Sequence, residues 1–194
     1  MIVASGVIPI SINQKGEIVL LLGKEKFQPH LSDKEQVKGN RSGTWCGFGG
    51  KLEKGENVEE CASREFAEES MNLLMSEEKM KDILTINHDS RLIARYTHDI
   101  YQEFAVYFKY DPDIPDQFRR VLNYFLKCKG VCPEGHFEKS EVKWFLLSDL
   151  IKGNIKESLR PSFKRTLSKS YPYLIDGMIN SFGEHAVHSR HKNS

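Results

Sequence analysis

The pattern of apolar and polar positions predicts a chain of the α/β class. Short apolar runs, several of them alternating, predict strands at residues 2–12, 18–23, 44–48, 91–98, 101–110 and 142–147. Apolar residues at helical spacing predict helices at residues 57–73, 115–129 and 161–179. Residues 24–43 are polar and predict a long surface loop. No repeat or linker interrupts the pattern, so we expect one domain over residues 1–182 and a polar tail over 183–194.

The composition narrows the class of protein without identifying it. Of the 194 residues 39% are apolar, which is enough for a packed core and too many for a disordered chain. Lysine and arginine number 28 against 27 aspartate and glutamate residues, so no net field points to nucleic acid or a membrane. The apolar runs are too short to cross a bilayer, and the first residues alternate like a strand rather than a signal peptide. Four cysteines do not form a disulfide framework in a chain this long, which favours a reducing, cytoplasmic location. From the net charge and the short apolar runs we expect no membrane partner.

The first predicted helix places three glutamates on one face. Glu65, Glu68 and Glu69 follow i, i+3, i+4 spacing, so their carboxylates lie within about a quarter-turn of one another. Like charges at this spacing repel and destabilise an isolated helix. A divalent cation removes the conflict, since Mg²⁺ prefers oxygen ligands from a few carboxylates together with substrate phosphates. The alternative interpretation is a solvated acidic face without function.

The residues around these glutamates favour the metal-site interpretation. They form the pattern G-x5-E-x7-R-E-U-x-E-E, with U apolar and the fixed positions Gly50, Glu56, Arg64, Glu65, Glu68 and Glu69. Six fixed residue types at these spacings match by chance about once in ten million start points. The pattern therefore predicts a functional site rather than a surface helix.

This motif resembles that of the Nudix hydrolases. The resemblance implies an α/β/α sandwich with a mixed sheet, in which the helix near 115–129 is an insertion. It also implies hydrolysis of a nucleoside diphosphate linked to another moiety, with Mg²⁺, or Mn²⁺, as the cofactor and a nucleotide as the substrate.

The resemblance further implies roles for individual residues. The metal ligands would be the backbone carbonyl around Gly50 and the side chains of Glu65, Glu68 and Glu69, with Glu65 and Glu68 also serving catalysis. Arg64 would orient these glutamates, and Glu56 would support the loop. Likeness to MutT-type nucleoside triphosphate pyrophosphohydrolases implies substrate-binding roles for Lys51, Trp45, Cys46 and Phe48.

The end of the first predicted helix departs from the family pattern. The family has glycine where this chain has Met71, followed by Asn72. Glycine normally supplies the left-handed residue that ends such a helix, and asparagine adopts positive φ more readily than methionine. We therefore expect the helix to run one residue longer and to stop at Asn72.

The part of the MutT-type likeness that would read the base is incomplete. Cys46 stands where those enzymes have asparagine, and residues 155–159 lack their acidic pair. A thiol is a weak donor and a weak acceptor, so it cannot replace an amide on a purine edge. We expect a nucleoside triphosphate cleaved to monophosphate and pyrophosphate, with a permissive base pocket. The alternatives are an RNA 5′ cap, a dinucleotide or nucleotide sugar, or a non-catalytic nucleotide-binding module.

Several remaining features each have two interpretations. Glu141 is a candidate general base or metal ligand, with Glu138 as its rival, and we expect Trp144 in the core. The basic helix near 115–129 would track RNA phosphates if the enzyme removes caps, and is otherwise an ordinary surface helix. The spacing of Cys128, Cys132 and His136 lacks a fourth zinc ligand. No pattern in the sequence indicates an oligomeric state.

Overall fold

A computed structural model describes residues 1–26, 43–86, 89–128 and 138–183. Within these ranges the strands are β1 (Ala4–Ile12), β2 (Ile18–Glu25), β3 (Trp45–Cys46), β4 (Phe48–Lys51), β5 (Leu92–His98), β6 (Tyr101–Tyr107) and β7 (Lys139–Leu146). The helices are α1 (Val58–Glu69), α2 (Glu77–Thr85), α3 (Ile114–Lys127), α4 (Leu147–Lys152) and α5 (Pro161–Phe182). None of the helices in these ranges is long and apolar enough to cross a membrane.

All seven strands belong to one mixed sheet, with β1 in its interior. β1 pairs in parallel with β6 and antiparallel with β2 and β4. β2 also pairs with β3 and β7, and β6 pairs with β5, all antiparallel. β1 and β2 are buried along nearly their whole length because both faces of the sheet are covered.

Helices cover the two faces of the sheet and create two apolar layers. One layer includes Phe48, Phe66 and Phe104, between the sheet and the side of α1, α2 and α3. The other includes Leu20 and Leu174, between the sheet and α4 and α5. This arrangement confirms the expected α/β/α sandwich.

The predicted elements differ from the observed ones mainly at their ends and in two missed helices. The strand predicted at 44–48 is two short strands separated by Gly47, and helices α2 and α4 were not predicted. Ser76 caps α2, and Met80, Ile83 and Leu84 are its buried residues. Most of the loop predicted at 24–43, and the tail beyond 183, lie outside the described residues.

The prediction for the end of α1 was wrong. The helix ends at Glu69, and both Met71 and Asn72 have positive φ, at 56° and 54°. The Asn72 amide donates to the Ala67 carbonyl at 2.7 Å and the Met71 amide to Glu68 at 3.0 Å, which is the Schellman arrangement with methionine in the usual glycine position. Met71 is 5% exposed and packs in the layer with α2, so burial of its side chain outweighs its backbone preference.

Candidate active site

A cavity of about 520 Å³ lies where β4 and α1 meet the first turns of α5. Its lining includes Gly49, Gly50 and Glu65 on one side and Phe163 and Thr166 of α5 on the other. A volume of this size lies within the range of about 300–1,000 Å³ found for small-molecule sites.

A row of residues across the sheet forms the base of this cavity. Gly6 of β1 pairs with Gly49 on one side and with Glu103 on the other. Adjacent strands lie about 4.8 Å apart, so the Cα atoms of Gly49 and Glu103 are separated by about 10 Å. The Tyr101 hydroxyl lies so close above the row that a Cβ on Gly6 would stand 2.2 Å from its oxygen. Glycine is therefore required where the ring crosses the strands.

Gly50 must lack a side chain for a different reason. A Cβ at this position would lie 2.2 Å from Oε1 of Glu65. The carboxylate of Glu65 thus rests directly against the backbone of the glycine-rich strand. This contact brings a carboxylate oxygen and the backbone around Gly50 together, which are two of the oxygen donors that the family resemblance implies for the metal.

Arg64 forms hydrogen bonds with Glu56, Glu65 and Glu68, and these four residues are called the glutamate bracket below. Its Nε and Nη2 atoms donate to the two oxygens of Glu56 at 2.7 and 3.1 Å. Its Nη1 donates to Glu65 and to Glu68, both at 3.1 Å, and Nη2 also donates to the Lys51 carbonyl. These hydrogen bonds lower the pKa of Glu56 and raise the pKa of Arg64 above its already high value. The guanidinium therefore holds three carboxylates together, of which that of Glu65 lines the cavity.

The local sequence explains why α1 starts where it does. Asn57 accepts from the Glu60 amide, and the Glu60 carboxylate accepts from the Asn57 amide, so the two residues form a capping box. The Ser5 hydroxyl of β1 donates to the Val58 carbonyl at 2.7 Å. The first turn is therefore tied to the sheet, and the glutamates one and two turns later are brought to the cavity.

Glu69 differs sharply from Glu65 and Glu68 in its surroundings. It is 3% exposed, its Oε2 accepts from the Gly49 amide at 2.8 Å, and its Oε1 lies 3.0 Å from Nζ of Lys139. Burial raises the pKa of Glu69, although Lys139 opposes the shift. Burial also raises the pKa of Glu65, against the attraction of Arg64. Both oxygens of Glu69 thus have protein partners, although the residue belongs to the cavity lining.

Lys139 is the centre of a buried polar cluster. Its ammonium lies 2.8 Å from Glu25 and 3.3 Å from the Cys46 sulfur, in addition to Glu69. Arg160 also contacts Glu25, at 3.3 Å. Burial alone would raise the pKa of Glu25, but the positive charges of Lys139 and Arg160 bring that pKa below its ordinary value. Burial raises the pKa of the Cys46 thiol to about 12, so the thiol stays protonated at neutral pH.

Glu103 places a second buried carboxyl at the α5 side of the cavity. It is 3% exposed, and within the described part of the chain its Oε1 has no hydrogen-bond partner. Burial raises its pKa to about 7, against a hydrogen bond from Ser170. An unsatisfied buried acceptor is rare in a folded protein and marks a place where a ligand donor would be favourable.

The structure brings some of the residues proposed from the sequence to the cavity and places others elsewhere. The cavity lining includes Cys46, Gly50, Lys51, Glu65 and Glu69. Arg64, Glu56 and Glu68 belong to the glutamate bracket beside it. Trp45 is 4% exposed and packs edge-on against Phe145, while Phe48 is fully buried against Phe66 on the opposite face of the sheet. Neither aromatic ring is among the lining residues.

Glu141 also lies away from the cavity lining. Its exposed carboxylate pairs with Lys24 at 2.7 Å, whereas its rival Glu138 lines the cavity. The alternation of side chains along β7 does not show which of the two glutamates faces the cavity, because Glu138 lies before the first residue of that strand. Trp144 packs against Tyr110 and donates to the Asp111 carbonyl, in agreement with its expected structural role.

Helix α3 and the cysteine–histidine spacing contribute nothing to the described cavity. α3 packs against β7, and none of its residues lines the cavity, so the feature that suggested RNA lies apart from the site. Cys132 and His136 lie outside the described residues. Among the side chains that are described, no three of His, Cys, Asp or Glu converge as a ready metal cage. The oxygen donors of Glu65, Glu68 and Gly50 nevertheless suit Mg²⁺, which is commonly bound by one or two carboxylates plus phosphates.

Sequence reasoning missed the cavity residues that come from separate elements. They are Glu25, Tyr101, Glu103 and Arg160, and Lys139 contacts the lining residues Glu25 and Glu69. Glu103 and Lys139 are each an ionisable residue at an inward position of a strand. Such a residue can be recognised in the sequence only if the buried face of its strand is already known.

Comparisons with known proteins agree with the geometry. The family model described as the NUDIX domain matches residues 3–166. A MutT/Nudix family protein from Listeria innocua is 14% identical, with a TM-score of 0.50, over 91% of this chain and 96% of that one. An Ap4A hydrolase from C. elegans is 17% identical, with a TM-score of 0.47, over 91% and 99% of the two chains. The match over most of the chain, together with the glutamate bracket beside a glycine-rich strand, shows that this protein belongs to the Nudix family and is a pyrophosphohydrolase.

Proposed function

We propose that this enzyme hydrolyses nucleoside triphosphates to the monophosphate and pyrophosphate, with Mg²⁺ or Mn²⁺ as the cofactor. The observation that carries the proposal is the continuity of the cavity. It extends from Glu65 and Glu69 of α1 to Phe163 and Thr166 in the first turns of α5. Such a cavity offers one region for phosphates and one for a single base.

The proposed phosphate end is formed by α1 and the glycine-rich strand. Glu65, Glu68 and the Gly50 carbonyl would hold the cation, and the exposed Lys51 ammonium would contact a phosphate oxygen. When bound, the cation supplies a Lewis acid for the bridging phosphate and lowers the pKa of the attacking water. Arg64 keeps Glu65 and Glu68 in fixed positions through its two Nη1 hydrogen bonds. Glu56 in turn fixes Arg64, so it acts through the arginine.

The proposed base end lies on the α5 side of the cavity. Phe163 and Tyr101 offer aromatic surface, and Oε1 of Glu103, unsatisfied within the described residues, offers an acceptor for an N–H group of the base. These residues take the substrate-binding role that the MutT-type likeness implied for Trp45 and Phe48. The thiol of Cys46 is a poor hydrogen-bonding group for a base edge, which supports the expectation of permissive selection.

Glu138 is the proposed general base of this region. It lines the cavity, and its charge contributes to the raised pKa of Glu65. Glu141, the expected base, is held by Lys24 away from the lining. Proton removal from the attacking water by a positioned carboxylate is an ordinary form of general base catalysis.

A cytoplasmic location forms part of the proposal. In the described ranges Cys46, Cys61 and Cys128 are free thiols. Free, buried thiols are typical of proteins kept in reducing compartments.

The substrate proposal is tested with a panel of compounds assayed in the presence of Mg²⁺. Nucleoside triphosphates, dinucleoside polyphosphates, nucleotide sugars and capped RNA are incubated with the enzyme, and products are separated by anion-exchange chromatography. We expect kcat/KM for triphosphates to exceed the others at least tenfold, with pyrophosphate as the second product. A higher kcat/KM for any other class, or release of inorganic phosphate alone, would contradict the proposal. A folded Glu68→Gln variant, checked by circular dichroism, serves as the inactive control.

A further inference from the structure

Lys139 is a buried lysine that contacts two residues of the cavity lining, Glu25 and Glu69. Its side chain is 1% exposed, and its Nζ contacts Glu25, Glu69 and Cys46. A buried ammonium persists only when it is paired, because removing it from water is very unfavourable. Two carboxylates pair this ammonium, Glu25 at 2.8 Å and Glu69 at 3.0 Å.

The contacts of Glu69 use both oxygens of its carboxylate. Oε1 faces the Lys139 ammonium and Oε2 accepts from the Gly49 amide. The side chain of Glu69 is 3% exposed, compared with 14% for Glu65 and 33% for Glu68. Glu65 and Glu69 both line the cavity, but each oxygen of Glu69 has a protein partner, whereas Arg64 contacts one oxygen of Glu65 and one of Glu68.

A divalent cation on Glu69 would also meet an electrostatic obstacle. The cation and the Lys139 ammonium would share one carboxylate, and like charges at such a distance repel strongly in a buried site. Arg160 adds a further positive charge, 3.3 Å from the same Glu25 oxygen that Lys139 contacts. Glu69 is thus already neutralised by the protein itself.

We propose that Lys139 is a built-in cation that holds Glu69 out of the metal site, so that the metal is bound through Glu65 and Glu68 while Glu69 is a positioning residue. Through its Oε2, Glu69 fixes the Gly49 amide and with it the glycine-rich strand against which Glu65 rests. The inference rests on the proposed function only in requiring a divalent cation at this site. It implies fewer metal ions than three free glutamates would hold.

The test is a titration of the full-length protein with Mn²⁺ alone, followed by the electron paramagnetic resonance signal of free Mn²⁺. We expect Glu69→Gln to keep the wild-type number of bound ions and a Kd within twofold. Glu68→Gln is expected to raise Kd at least tenfold. If Glu69→Gln weakens Mn²⁺ binding as much as Glu68→Gln does, the proposal is wrong.

Removal of the built-in cation provides the reciprocal test. Lys139→Met is expected to gain one bound Mn²⁺, or to bind at least tenfold more tightly, because Glu69 becomes available. If this variant does not fold, Glu25→Gln combined with Lys139→Met removes one of the two stranded carboxylates and keeps Glu69. Lys143→Met is the matched control, since Lys143 pairs with Glu157 at the surface. Unchanged Mn²⁺ binding in the folded variant lacking Lys139 would overturn the proposal.

A kinetic measurement separates a positioning role from a metal-binding role. Glu69→Gln is expected to lower kcat at least tenfold while the Mn²⁺ concentration for half-maximal rate stays unchanged. A rise in that concentration with constant kcat at saturating Mn²⁺ would identify Glu69 as a ligand instead. The Mn²⁺ titration contains no nucleotide, so an enzyme that prefers another substrate gives the same binding result and fails only the substrate panel.

Discussion

The carboxylates of this site differ in pKa because each has different neighbouring groups. Glu56 is held by a guanidinium and its pKa is lowered, whereas Glu65 is desolvated and its pKa is raised. Glu103 is buried with one oxygen unsatisfied within the described chain, and its pKa is raised to about 7. The same side chain therefore serves as a structural bracket, a candidate ligand or a neutral acid, depending on its neighbours.

Glu138 and Glu141 provide a matched pair for locating the general base. Glu138→Gln is expected to lower kcat at least tenfold, because the carboxylate that lines the cavity can no longer accept a proton. Glu141→Gln is expected to stay within twofold of wild type, since it removes only a surface ion pair with Lys24. Steady-state rates on the best triphosphate decide between them. The reverse order of effects would restore Glu141 as the base.

The buried carboxyl of Glu103 predicts a pH-dependent loss of stability. Its folded-state pKa of about 7 lies above the ordinary value of 4.5, so the folded protein holds a proton that the unfolded chain has released. The stabilising contribution of the protonated Glu103 to the free energy of unfolding is fully present below pH 4.5 and is lost as the pH rises through 7. Glu103→Gln should remove this dependence, and its free energy of unfolding relative to wild type should rise by about 2–4 kcal/mol between pH 5 and pH 8.

Urea denaturation of both proteins at the two pH values measures this difference. Glu141→Gln, which alters an exposed carboxylate, is the control and should show no such change. An identical pH dependence in wild type and Glu103→Gln would show that Glu103 is ionised in the folded protein.

The end of α1 shows how an element can override a residue's preference. Two consecutive residues other than glycine adopt the left-handed conformation there, which costs about 1–2 kcal/mol for each. The cost is tolerated at Met71 because its side chain fills the layer beneath α2, while Asn72 is exposed. Met71 thus stands where the family has glycine, and the burial of its apolar side chain offsets the strain in its backbone.

Glycine substitutions at these two positions separate the strain from the burial. Asn72→Gly should raise the free energy of unfolding by up to about 1 kcal/mol, because it relieves strain and removes no buried group. Met71→Gly should lower it by at least about 1 kcal/mol, since truncating a buried methionine costs about 2–5 kcal/mol. Thermal melts provide the comparison. Stabilisation by Met71→Gly would mean that the methionine side chain contributes little to packing.

At the scale of the whole molecule, the position of α5 determines one wall of the cavity. Ser162, Phe163 and Thr166 belong to its first turns, while its later part lies against β5. A Cβ on Gly177 would stand 2.3 Å from the Ile93 carbonyl oxygen, so helix and strand touch through their backbones. A helix this close to the sheet holds its N-terminal turns over the cavity.

Gly177→Ala tests this close approach. Overpacking costs about 1–3 kcal/mol, which should exceed the gain of about 1 kcal/mol from the better helix propensity of alanine. We expect a Tm lower by a few degrees, and a higher KM for the nucleotide because α5 shifts outward. The exposed Asn180→Ala on the same helix should leave Tm and KM nearly unchanged. A Tm at or above the wild-type value for Gly177→Ala would show that the helix adjusts freely.

The sequence alone determined those features whose parts lie close together along the chain. The spacing of Glu65 and Glu68 on one helix, and of Arg64 and Glu56 before it, follows from helix geometry, so the motif could be identified without a fold. Strand alternation and helical spacing likewise predicted most of the elements and the α/β class. Capping of α1 by Asn57 is a local signal of the same kind.

Only the tertiary structure decided which of these groups reach the cavity. Lys139 begins the last strand and Glu69 ends the first helix, so their contact depends on how the sheet is ordered. The same holds for Glu103, whose buried position depends on α5 covering that face of β6. A carboxylate's pKa, exposure and ligand capacity are set by neighbours distant in sequence, because charge and desolvation act through space. The spacing of Glu69 therefore predicted a metal ligand, whereas its surroundings hold it to a lysine and a backbone amide.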